Sequence, residues 1–190
     1  MLIWDVDGVL LRTFDHDGGF IWSKTIKDDL GLPRAVVEDI FHGAWKDALL
    51  GRAKEERLVG NIFARHGLSL DPSDFLNYWL AKDFTPQEDL LPLLSSQPSC
   101  IATNQTPLRA NKIKAFFADK VCRVFTSCDM GVMKPDPAYF VHIERELALP
   151  ASSLTLIDDT IDNIDAAQKR GWETHAYTTP KSLRLFLQNA

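Results

Sequence analysis

Cysteine is scarce in this chain, at three residues in 190, and Cys100, Cys122 and Cys128 show no Cys-x-x-Cys spacing. An odd, scattered set excludes a zinc ribbon or a disulfide framework and fits a reducing cytoplasm. No apolar stretch approaches the roughly 20 residues that span a bilayer. Runs of Lys or Arg are also missing, and the formal charge is −5. Nucleic acid and anionic membrane surfaces both reward clustered cations, so neither is expected as a partner. There is no internal repeat, no low-complexity segment and no charged lead-in of the kind that opens a secretion signal. What remains, 45% hydrophobic and 25% charged residues, matches a globular protein with one core and a large insertion, or two small domains.

The most informative stretch is Met1-Leu2-Ile3-Trp4-Asp5-Val6-Asp7-Gly8-Val9-Leu10. A short apolar run reads as a buried strand, and Gly8 marks where the backbone turns away. Asp5 and Asp7 then lie just past the carboxyl end of a strand, where open α/β sheets build their sites. Two carboxylates beside a buried strand are costly unless a cation or proton compensates them.

Two textures follow. From about Phe14 to Phe84 the apolar residues keep helical spacing. Trp22, Ile26 and Leu30 form one stripe, Val37 to Leu49 a second, Leu58, Ile62 and Phe63 a third. Asp71-Pro72 supplies an N-cap and first-turn proline for a fourth helix. From Leu90 onward, strands alternate with helices: strands at 100–103, 121–126, 154–157 and 173–177, helices at 107–118, 136–147 and 160–170. That rhythm predicts βαβ units, a parallel Rossmann-like sheet flanked by helices. Residues 14–84 then form an all-helical cap inserted after strand one, with 1–13 and 85–190 as the α/β core.

Parallel strands put their carboxyl ends on one edge. Asp5 and Asp7, Thr103-Asn104, Ser127-Cys128-Asp129 with Lys134, and Asp158-Asp159 therefore converge. Such a crowd of carboxylates calls for a hard cation. Mg²⁺ fits, taking oxygen ligands at about 2.0–2.1 Å and leaving positions for a substrate phosphate.

Four motifs in this order, Asp5-Val6-Asp7-Gly8-Val9, Thr103-Asn104, Lys134-Pro135-Asp136-Pro137 and Asp158-Asp159, resemble those of the haloacid dehalogenase-like hydrolases, mostly phosphatases, in the branch with a helical cap after strand one. The resemblance implies that Asp5 is the nucleophile and forms an aspartyl-phosphate. Its side chain and the main-chain carbonyl of Asp7 would bind Mg²⁺, with Asp159 the principal acidic ligand from strand four and Asp158 in support. Asp7 would protonate the leaving alcohol and then deprotonate the hydrolytic water. An acid in that role needs a raised pKa, which crowding against Asp5 would supply. Dehalogenating members lack an acid there, because a halide needs no proton. Thr103 and backbone N–H groups near Asn104 would hold phosphate oxygens, and Lys134 would neutralise charge on Asp5 and the phosphoryl group.

The segment Leu49 to Glu56 resembles the cap loop that touches substrate in related sugar-phosphate enzymes, making Arg52 and Lys54 candidate substrate-binding residues. Arg12-Thr13 departs from relatives that carry an acidic residue before the Thr or Ser. Asp136 reads as an N-cap, Cys128 as a small buried thiol, the Trp and Phe stripes as the cap's own core. His16 and Asp162 have functional and exposed-surface readings of equal weight, and Asn163 offers still less. The expected protein is a cytoplasmic, Mg²⁺-dependent phosphatase of small phosphorylated metabolites, a monomer or weak dimer. A phosphomutase is the alternative within enzymes. Outside enzymes the alternatives are a phosphoacceptor module, although that would place its Lys after the last strand, and a ligand-binding relative without turnover, against which the intact Asp5, Asp7, Lys134 and Asp159 argue.

Overall fold

The computed structural model describes residues 1–189. Five parallel strands, β1 (Leu2–Trp4), β2 (Ser99–Thr103), β3 (Arg123–Thr126), β4 (Thr155–Asp158) and β5 (Glu173–Ala176), lie in the order β3-β2-β1-β4-β5. β1 is therefore central, with Ile3 in register with Cys100 on one side and Leu156 on the other. A strand buried on both faces is apolar throughout rather than alternating. Leu2, Trp4, Ile101 and Ile157 pack on one face against Ile113 and Phe117; Ile3, Cys100, Ala102 and Leu156 pack on the other against Tyr139, Phe140 and Ile143.

Between β1 and β2 lies a helical insert. It holds α1 (Ile26–Leu30), α2 (Arg34–Phe41), α3 (Trp45–Leu49), α4 (Glu55–Arg65) and α5 (Pro72–Lys82). The stripe from Val37 to Leu49 is broken into two helices at Gly43, whose φ of 57° is left-handed. The stripe at Trp22 begins as a 3₁₀ turn, Ile21–Thr25, before α1. Asp71 caps α5 by accepting the Ser73 N–H. The insert encloses its own core, in which Trp22, Phe41, Trp45, Phe75 and Trp79 meet largely edge to face. That geometry is the favoured one for ring quadrupoles.

The remaining helices flank the sheet: α6 (Leu91–Leu94), α7 (Pro107–Phe117), α8 (Ser127–Met130), α9 (Pro137–Leu147), α10 (Ile161–Arg170) and α11 (Pro180–Asn189). α8 and α11 have no counterpart in the sequence reading. Among the described residues no helix is long and apolar enough to cross a membrane.

Two connections join insert to sheet. Leu11 pairs antiparallel with Pro86, and the Arg12 N–H donates to Thr85 O and the Gln87 N–H to Leu10 O. The insert also rests on the sheet's carboxyl edge. Ser127 Oγ donates to Leu49 O at 2.6 Å, and the Leu108 N–H donates to Glu55 Oε1 at 2.8 Å.

Candidate active site

Asp5 follows β1 directly; its own N–H still donates to Ile157 O, and its Oδ1 accepts the Val6 N–H at 2.7 Å. Gly8, at φ 79°, then turns the chain, and a Cβ there would stand 1.9 Å from Asp159 Oδ2. A side chain there would have to displace the Asp159 carboxylate, and the left-handed φ favours glycine as well. The Asp159 carboxylate is thus laid against the turn that follows Asp5.

Lys134 is buried and shared. Its Nζ donates to Asp158 Oδ2 at 2.6 Å and lies 3.0 Å from Asp5 Oδ1. Asp158 is fully enclosed. Its oxygens also accept the Thr160 N–H at 2.9 Å and Asn163 Nδ2 at 3.0 and 3.1 Å. Burial opposes the charge on Lys134, but Asp158 and Asp5 together hold its pKa above the ordinary lysine value. For Asp5, burial dominates and pushes the carboxyl up to about 8, with Lys134 opposing and the charges of Asp158 and Asp7 adding to the rise. Asp159 is more exposed, accepts from the Thr160 hydroxyl, and is raised by partial burial and by Asp158. Oxygens of Asp5, Asp158 and Asp159 lie within 4.8 Å of one another. Since Asp158 is saturated by its donors, the free lone pairs of this trio belong chiefly to Asp5 and Asp159.

The carboxylate of Asp7 stands apart from that trio. Arg109 Nη1 donates to its Oδ2 at 2.7 Å and Nη2 to its Oδ1 at 2.6 Å; Thr13 Oγ1 donates to Oδ1 and Gln105 Nε2 to Oδ2, both at 2.7 Å. Burial alone would raise this carboxyl. The Arg109 charge and the hydrogen bonds from Arg109, Thr13 and Gln105 overcome burial and hold it below the usual carboxylate range. The expectation that crowding against Asp5 raises Asp7 is therefore corrected, because a guanidinium fork, not a second carboxylate, is its nearest charge.

Thr103 is buried and accepts from Gln105 Nε2 at 3.0 Å. The Asn104 side chain is spent on the Lys134 main chain, donating to Lys134 O at 3.0 Å and accepting the Lys134 N–H at 2.9 Å. It fixes the loop bearing the lysine, whose bond to Pro135 is cis. Asp136 caps α9 through the Ala138 N–H. Cys128 is half-buried, its thiol pushed up by burial. His16 pairs with Asp17 at the surface, and Asp162 is exposed on α10.

The insert brings up two candidates unequally. Arg52 lines a cavity of about 380 Å³ together with Lys46 and Lys134. Lys54 lines a different cavity, about 570 Å³, with Glu55 and Leu108, which Arg52 also borders. Arg109 and Gln105 have no role in the sequence reading, and Asn163, given less weight there than Asp162, proves to be buried against Asp158. A signal for Arg109 was there: with Ile113 and Phe117 it continues the buried i, i+4, i+8 stripe of α7, a position where an arginine must have a partner.

A model of the haloacid dehalogenase-like hydrolase family matches residues 1–171. The chain belongs to the haloacid dehalogenase-like hydrolases. Similar folds within this superfamily include a HAD family enzyme from Bacteroides thetaiotaomicron solved with magnesium and inorganic phosphate, at TM-score 0.78 and 17% identity over 93% of each chain. A predicted HAD-like hydrolase from Porphyromonas gingivalis gives TM-score 0.76 at 18% identity, covering 97% of this chain and 96% of that one. An L-2-haloacid dehalogenase from Xanthobacter autotrophicus, with chloropropionic acid covalently bound, gives 0.65 at 16% identity over 91% and 75%. Drimenol cyclase from Aspergillus calidoustus shares 31% identity over 49 residues, 26% of this chain and 9% of that protein's length. As a HAD-like hydrolase, the chain shares its fold with a phosphate complex and a dehalogenase, so the choice between the two chemistries rests on its own residues.

Proposed function

We propose that this HAD-like hydrolase is a Mg²⁺-dependent phosphatase of small phosphomonoesters. The observation that carries the reading is Asp7, a second carboxylate two residues beyond Asp5 and held in its own set of donors. Cleaving a carbon–halogen bond calls for no such proton carrier, whereas expelling an alkoxide does.

In this reading Asp5 attacks phosphorus, forming a P–O bond to its carboxylate as the bond to the leaving oxygen breaks. Asp7 delivers a proton to that oxygen, then takes one from the water that hydrolyses the aspartyl-phosphate. Lys134, already between Asp5 and Asp158, offsets the repulsion between a carboxylate and a phosphate dianion. Asp5, the Asp7 carbonyl and Asp159 would hold Mg²⁺, with Asp158 behind them; the open lone pairs of Asp5 and Asp159 suit an oxygen-preferring ion. The metal supplies charge neutralisation for the phosphoryl oxygens. Thr103 and the N–H groups beside Asn104 would hold those oxygens, and Arg52, which lines a cavity with the loop that carries Lys134, would reach toward the leaving group.

The helical insert, residues 14–84, serves as the cap over a core of 1–13 and 85–190. Three free thiols and a net charge of −5 suit a cytoplasmic enzyme of small metabolites, monomeric or weakly dimeric.

The test is a panel of sugar phosphates, nucleotides and phosphorylated acids assayed with Mg²⁺, alongside Asp5→Asn. Phosphate release that EDTA stops and that Asp5→Asn lowers by orders of magnitude is expected. Full activity of the variant removes Asp5 from the nucleophile's role, and halide release from 2-haloacids without phosphate release overturns the reading.

A further inference from the structure

Four donors reach the Asp7 carboxylate, two on each oxygen, as many as its roughly four lone-pair sites accept. A carboxylate so filled has no open position toward a leaving group or a water. One bond must be exchanged before Asp7 can work, and the surroundings show which. Thr13 and Gln105 are neutral donors anchored locally; Gln105 is further tied to Thr103 and to Arg109 Nη1. Arg109 alone has a second carboxylate to turn to. Its Nε lies 3.1 Å from Asp83 Oδ2, and its Nη2 stands 3.4 Å from Asp83 O. Asp83 is the residue that ends α5, where the insert returns to the sheet. It is buried and is fixed there by Trp79 Nε1 at 2.9 Å.

The same helix bears other contacts from the insert. α7 receives Glu55 at the Leu108 N–H, and Lys112 donates to Leu80 O. Arg109 thus sits where the seat of the insert meets the reacting edge.

We propose that Arg109 is a positioning residue that parks Asp7 and shares its guanidinium with Asp83, so that Asp7 is released for proton transfer only when Arg109 shifts toward the insert's return point. The proposal rests on the phosphatase reading and deepens it. Asp83 never touches Asp7, yet it sets whether Asp7 is free. A planar fork is needed to bridge two carboxylates, so lysine does not replace arginine here.

The experiment compares a small alkyl phosphate, whose leaving alkoxide needs a proton, with p-nitrophenyl phosphate, whose leaving group does not. Arg109→Lys should lower the ratio of alkyl to aryl kcat by about tenfold or more, a part of the roughly 10²–10⁴ that acid–base help contributes. Asp83→Asn, which keeps an acceptor for Trp79, should shift the same ratio in the same direction. The double variant should be no worse than Arg109→Lys alone, since both act through one guanidinium. Equal losses on both substrates, or additive effects in the double variant, overturn the proposal. If Arg109→Lys does not fold by circular dichroism, Asp83→Asn decides: an unmoved ratio there also overturns it. Absence of phosphate release from wild-type protein would instead defeat the phosphatase reading.

Discussion

Lys134 stands 2.6 Å from Asp158 and 3.0 Å from Asp5, one ammonium divided unequally between two buried carboxylates. The deeper partner, Asp158, is also held by Asn163 and the Thr160 N–H. Asp158 therefore acts as the fixed end of the pair, and Asp5 is the carboxylate whose charge is left incompletely balanced. In the proposed phosphatase, a site built this way would deliver a cation to Asp5 without letting that cation follow the substrate.

Asp158→Ala should be the more damaging change to the framework. It leaves a buried lysine without its nearer partner, and breaking such a pair costs about 3–5 kcal/mol. Asn163→Ala removes neutral donors instead, with an expected loss of about 1–2 kcal/mol. Urea unfolding of both variants checks the order; an Asn163 variant less stable than the Asp158 variant contradicts it.

Gly8→Ala should act on metal use. Its Cβ would meet Asp159 Oδ2 at 1.9 Å, and the φ of 79° adds strain of about 1–3 kcal/mol. The Asp159 side chain must move, so the Mg²⁺ concentration for half-maximal activity should rise about tenfold or more, the size expected when a ligand's support is lost. A titration of activity against Mg²⁺ that matches wild type shows that Asp159 does not serve the metal.

Asp83 gives a pH signature of stability. Burial, with a contribution from Asp7, lifts its carboxyl from 3.8 to about 6 despite Arg109. The native state therefore binds this proton more tightly than the unfolded chain does. The associated stability is complete below about pH 4 and is lost as pH rises through about 6, up to roughly 3 kcal/mol. Asp83→Asn should flatten that portion of the stability–pH profile. Chemical unfolding at pH 4, 5, 6 and 7 measures it, and parallel profiles for variant and wild type refute the assignment.

Gly51→Ala tests how the insert is seated. A Cβ there would meet Cys128 O at 2.3 Å, at a φ of 69°. Neither backbone can yield cheaply, so the loop carrying Arg52 should lift from α8. KM should rise several-fold, with a smaller fall in kcat, because the change displaces the loop that carries Arg52 and leaves Asp5 in place. A fall in kcat with KM unchanged argues against this placement.

Much of the sheet and of its acidic edge was legible because apolar runs of strand length end at Trp4, Thr103, Thr126 and Asp158, and parallel pairing forces such ends together. Lys134 could be read because Asp136-Pro137 fixes the next helix start. Arg109 went unread because its partner Asp7 lies 102 residues away, a pairing that no local spacing encodes. Its position on the buried stripe of α7 was the available clue. Asn163, buried beside Ile164 on α10, carried the same kind of clue. The Asp7 carboxyl is lowered rather than raised because its nearest charge is Arg109, remote in sequence, and not the adjacent Asp5.

The two connections between insert and sheet run side by side, held by the Arg12 N–H to Thr85 O and the Gln87 N–H to Leu10 O. Main-chain bonds of this kind belong to no particular side chain. The insert is therefore attached like a module on a common two-wire socket. A different helical block with the same spacing between its ends could be plugged in at Leu11 and Pro86, changing what the enzyme admits while the reacting edge stays as it is.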